Sequence, residues 1–261
     1  MTRKVKVLVW LLSGLCFWIF LPGSAQAATL NVNCNAPAGQ LSTIAGALKL
    51  LDPSEPNTIN VSGSCNENVV IQSFERLTLN AVNGASITDA SNFNSAVADF
   101  EDSKGYLNGF TITGGSPGIH CSDSSQCRFQ NNTLQGGFPG IVLNGESLAT
   151  FNGDTIQDGG AGLNVSHGSF ALLVNATTQG AKGGGSGILV YTGGTVAASP
   201  ANILNNHRYG VQVFDHGTFQ MLGGAISGNG ASGVELGRRG RYFSGQEPHH
   251  DLRECGKWSP D

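Results

Sequence analysis

The sequence predicts an all-β protein, a right-handed parallel β-helix with coils of about 22–25 residues and a short N-terminal capping helix. Three observations lead there. Glycines that open short apolar stretches recur at Gly118, Gly140, Gly162, Gly187, Gly210 and Gly233, at intervals of 22, 22, 25, 23 and 23 residues. Within a unit the apolar residues alternate, as in Ile141/Leu143 and Val211/Val213, which places both on one face of a strand. Columns then keep register between units: Thr111, Thr133, Thr155 and Thr177 lie 22 apart, as do Gln135, Gln157 and Gln179. Between these columns sit Ile112, Leu134, Ile156 and, as an exception, Thr178. Three short strands and three turns per unit make one coil, and successive coils stack like strand on like strand, so the pairing is parallel. Propeller blades need about twice this length, and the Leu and Asn spacing of leucine-rich repeats is absent.

Taken in chain order, residues 1–27 read as a signal peptide. A basic start containing Arg3, Lys4 and Lys6 precedes an apolar run and an Ala25-x-Ala27 cleavage pattern. The expected location is therefore secreted, periplasmic or at the cell surface, with no transmembrane segment after signal removal. Residues 28–236 form the β-helix domain. Its first helix carries Ile44, Leu48 and Leu51 at helical spacing, with Ser42 or Thr43 as N-cap, and is expected to close the end of the core. Strands follow in the segments NTINVSG, ENVVI and RLTLN. Residues 237–261 are charged and break the pattern, which reads as a disordered tail or one of altered reading frame, with low order from Arg238 onward.

An exported chain favours disulfides. Cys34 with Cys65 and Cys121 with Cys127 are the expected pairs among three connectivities, with buried free thiols as the alternative. Without its first 27 residues the chain has 11 basic and 18 acidic residues, because Arg3, Lys4 and Lys6 are lost from the 14. Between Ala28 and Leu236 the basic residues are only Lys49, Arg76, Lys104, Arg128, Lys182 and Arg208. That balance argues against a nucleic-acid partner and predicts repulsion of strongly anionic polymers.

The segments TIAGALKLL, PNTINVSGSCNENVVI and RLTLN resemble the entry into the pectin-lyase-like superfamily, over roughly residues 29–236. The resemblance implies the β-helix fold and a surface that meets polysaccharide, and says little about activity. Its enzyme motifs do not recur here. Leu236-Gly237-Arg238 is similar to a pectinesterase element, but Arg239 and Gly240 replace its last two positions. The adjacent aspartates and Arg-x-Lys step of a polygalacturonase are missing. Down the stacked columns no acid occurs twice in succession, so no catalytic residue is assigned and no cofactor or metal is expected; His249, His250 and Cys255 lack a fourth ligand partner. His167-Gly168 and His216-Gly217 align with Asn144-Gly145 and Thr192-Gly193, a turn in which glycine recurs and histidine is a passenger.

The outward row of the first strand reads His120, Val142, Asn164, Leu189, Gln212, Glu235. Of these, His120, Asn164, Gln212 and Glu235 are the candidate glycan-facing residues; the same row also suits an ordinary solvated face. The expected function is a non-catalytic surface or glycan-binding module, its partner a polysaccharide or cell-surface glycan. The alternative is a truncated or degraded polysaccharide lyase or hydrolase.

Overall fold

The computed structural model describes residues 27–37 and 40–245. The expected signal peptide up to Gln26 and the histidines and cysteine near the C-terminus lie outside the described residues. The chain winds as a right-handed parallel β-helix, and every strand pair is parallel. First strands of successive coils make an eight-stranded sheet from Val69–Gln72 through Ala98–Glu101, Ile119–Ser122, Ile141–Leu143, Leu163–Val165, Ile188–Val190 and Val211–Val213 to Val234–Leu236. Second and third strands share a bent sixteen-stranded sheet, because the long strand Arg76–Thr88 contributes to both runs.

The expected register holds. Thr133 pairs with Thr111 on one side and Thr155 on the other, and Thr155 with Thr177. Gln179 Nε2 donates to Gln157 Oε1 at 3.0 Å, one rung of an outward polar ladder. Inward positions form one continuous core in which phenylalanines are the largest side chains. Phe129 lies directly over Phe151, ring centroids 5.0 Å apart, and meets Phe100 edge-on at 6.1 Å. At the N-terminal end a helix, Ile44–Leu48, buries Ile44 and Ala47 against the first strands. Thr43 is its N-cap, with Oγ1 accepting from the Gly46 N–H at 3.1 Å, and the Glu67 carboxylate accepts from Ile44 and Ala45 N–H. Both expected disulfides, Cys34–Cys65 and Cys121–Cys127, are formed.

Two internal ladders tie coil to coil. Ser103, Ser125, Ser147 and Ser169 are buried one above another at the first turn. Each backbone N–H of Ser103, Ser125 and Ser147 donates to the hydroxyl of the serine one coil on, at 3.0 to 3.1 Å. At the second turn Asn132 Oδ1 accepts from Phe110 N–H, while its own N–H and Nδ2 donate to Asp154 Oδ1, each at 2.8 Å. Buried backbone donors require partners, and these side chains supply them where the strands end.

Two sequence expectations need correction. First, the stack does not stop at Leu236. Arg241–Ser244 forms a further strand paired with Thr218–Met221, and Tyr242 stacks on Phe219 at 5.8 Å. The arginines of this segment disguise an alternation in which Tyr242 packs inward while Arg241 and Phe243 face out. Second, glycine is not the recurring element of the first turn. The recurring element is a pair of consecutive left-handed residues: Asp123-Ser124, Gly145-Glu146, His167-Gly168, Thr192-Gly193 and Asp215-His216. His167 therefore takes the first position and His216 the second, and Gly217 has no positive φ. Asp, Asn and His tolerate this conformation better than most residues, so the reading of both histidines as turn residues stands on a different alignment.

Candidate functional site

The predicted outward row is real, and it is longer than expected. Paired positions across the eight-stranded sheet run Val70, Asp99, His120, Val142, Asn164, Leu189, Gln212, Glu235. The residues from Asp99 to Glu235 are all half-buried. Strand alternation turns their neighbours Ile119, Ile141, Leu163, Ile188 and Val211 into the core and leaves this row facing out.

The sequence reading missed Asp99. Its carboxylate lies 2.9 Å from His120 Nδ1, and His120 Nε2 is 3.3 Å from Asn144 Oδ1. The hydrogen bond to Asp99 raises the His120 pKa above its ordinary value, burial opposes the rise, and Asn144 and the more distant Glu101 add to it. Glu101 follows Asp99 two residues on, on the same strand and face, so their Cα atoms stand about 7 Å apart. The segment ADFE carries that alternation openly. A comparison of acids between coils does not find this pair, because it lies along one strand. At the far end of the row the Glu235 carboxylate beside Tyr209 pushes the tyrosine hydroxyl up. Between these ends, Asn164 Oδ1 is buried without a hydrogen-bond partner among the described residues.

A pH dependence follows from His120. Its pKa is raised on folding, so the stability it contributes is complete below the unfolded value near 6.5 and is lost as pH rises through the folded value. Melting temperatures between pH 6 and 9 should fall for the native chain, and the His120→Gln variant should lack that part of the fall.

A second concavity lies on the other sheet, over the second strands. It has a volume near 690 Å³ and is lined by Arg76, Lys104, Tyr106, Gln126, Arg128 and Thr150 among others. Three of the six basic residues between Ala28 and Leu236 thus meet in one groove. Net charge gave no hint of this.

Residues 53–178 match the family model described as right handed beta helix region. No curated protein matches the chain in sequence. Among solved structures, pectin methylesterase PemA from Erwinia chrysanthemi is similar at a TM-score of 0.58 with 12% identity, covering 79% of this chain and 80% of the other. An alginate lyase from Paenibacillus sp. str. FPU-7 gives 0.48 at 15% identity, covering 84% and 98%. The mannuronan C-5 epimerase AlgE4 A-module of Azotobacter vinelandii gives 0.45 at 14% identity, covering 82% and 76%. At these identities the likeness concerns the fold.

Proposed function

We propose that this pectin-lyase-like right-handed β-helix is a secreted or surface protein that binds a glycan, without cleaving it, on the outward face of the eight-stranded sheet. One observation carries the reading. From His120 to Gln212 the row alternates polar and apolar side chains, His120, Val142, Asn164, Leu189 and Gln212, one per strand and about 4.8 Å apart. A sugar chain offers hydroxyls and C–H faces in similar alternation. Asn164 and Gln212 bring side-chain amides to this row, each with donors and an acceptor suited to sugar hydroxyls. Binding to a panel of plant and bacterial polysaccharides should be measurable, and Asn164→Ala with Gln212→Ala should weaken it by roughly tenfold or more. No binding to any member, or unchanged binding by the double variant, would refute the assignment.

The pair Asp99 and Glu101 favours a second reading, a polysaccharide-active enzyme. They put two carboxyl groups on one face of one strand, the kind of pair that glycoside hydrolysis uses, and His120, bonded to Asp99, is a proton carrier. Incubation with pectin, polygalacturonate and alginate, with and without calcium, decides between the two. Release of reducing or unsaturated ends that Asp99→Asn abolishes would replace the binding reading with the catalytic one.

A further inference from the structure

We infer that the groove over the second strands is a separate site for an anionic oligosaccharide, one bearing carboxylate or sulfate groups at regular intervals. The outward side chains there form a grid fixed by register. One row reads Arg76, Lys104, Gln126, Leu148 and the next Thr78, Tyr106, Arg128, Thr150. Arg76 and Lys104 are therefore direct neighbours on adjoining strands, and Arg128 stands one strand and one row away from Lys104.

Like charges facing each other across a strand pair are destabilising. Glu75 relieves only part of this, through an exposed contact of 2.9 Å to Lys104. Arg76 and Arg128 form no ion pair among the described residues, and no carboxylate lines the groove. An anion entering here meets a local field opposite in sign to that of the whole chain, whose formal net charge is −4. Guanidinium groups bind carboxylate and sulfate oxygens through paired hydrogen bonds.

The surroundings select a sugar. The groove runs across the strands, along the solenoid axis, so an extended ligand would meet a new strand about every 4.8 Å. Between the cations lie hydroxyls and amides suited to sugar hydroxyls, from Thr78, Thr150 and Gln126, and the ring of Tyr106. The Tyr106 hydroxyl donates to Gln130 Oε1, which fixes the ring's position. Three cations are too few for the many phosphate contacts that sustain nucleic-acid binding.

The site does not share residues with the face proposed above, so the two can be tested apart. Calorimetric titration would compare an oligogalacturonate, a heparin-derived oligosaccharide and a neutral cello-oligosaccharide of equal length. We expect at least one anionic ligand to bind and the neutral one not to. Raised salt should weaken the binding. Arg76→Gln with Arg128→Gln should reduce it roughly tenfold or more, while Asn164→Ala with Gln212→Ala leaves it unchanged. Both arginines are exposed, and circular dichroism of the double variant would confirm its fold. Preference between the two anionic ligands identifies carboxylate or sulfate as the natural group. Failure of both to bind at low salt, equal binding of the neutral oligomer, or full affinity in the arginine variant would overturn the assignment.

Discussion

Phe129→Ala should cost about 3–5 kcal/mol in urea unfolding. Phe129 is 1% exposed and sits between Phe100 and Phe151. Its strand neighbours Leu107 and Phe151 belong to the coils on either side. A solenoid is stabilised by contacts between adjacent coils, so a cavity here weakens two interfaces at once. The strands around it are also held by the ladder hydrogen bonds of Ser125 and Asn132, which restrain collapse into the space. Phe129→Leu refills most of the volume and should lose less. Equal stability of Phe129→Ala and the native chain would show that the phenylalanine column does not hold the coils together.

The second large effect is a pH dependence centred on Asp154. This carboxyl is 1% exposed, and burial pushes its pKa up to about 6, against three hydrogen bonds from Asn132 and Asn152 that lower it. The native state therefore holds a proton that the unfolded chain, with a pKa near 3.8, releases between those values. Stability is greatest below the unfolded value, falls as pH rises toward 6 and levels off above it. A rise of about two units corresponds to a loss on the order of 3 kcal/mol from this group. In Asp154→Asn that loss should vanish, because nothing remains to ionise. The substitution is compatible with the site, since Asn132 already occupies the equivalent position one coil earlier and donates Nδ2 to the Leu107 carbonyl at 2.9 Å. Unfolding free energies of both proteins at pH 4 and pH 7 test this; parallel pH profiles would place the proton elsewhere.

Much of the architecture was legible because a β-helix writes its geometry into the sequence as a period. The threonine and glutamine columns, spaced by 22, are paired positions in the structure, and the candidate row from His120 to Glu235 is contiguous. Legibility ended where the period is uneven. Asp99 precedes His120 by 21 residues but follows its other partner, Val70, by 29, so this coil offers no constant offset to align. Arg76 and Lys104 are 28 apart, and Lys104 is 22 from Gln126. The basic groove therefore emerges only when strands are paired in space. Glycines misplaced the first turn for a related reason. The left-handed pair there accepts Asp, Ser, Thr, Glu and His as well as Gly, so conformation recurs where residue type does not. Asp154 and Asn132 were visible as residues, but their role was not, because a polar side chain folded back over its own turn looks in sequence like any loop residue.

The serine ladder makes the middle of this molecule modular. Ser125, Ser147 and Ser169 each receive the same backbone bond from the preceding coil, at a constant offset of 22 residues. Excising residues 128–149 would splice Cys127 to Thr150, with Cys127 taking the place of its register partner Ala149, and would bring Ser125 beneath Ser169 with both disulfides intact. Duplication of the same segment would lengthen the rod by one winding in the same manner. The chain thus carries a cassette by which such proteins can grow or shrink without redesign of either end.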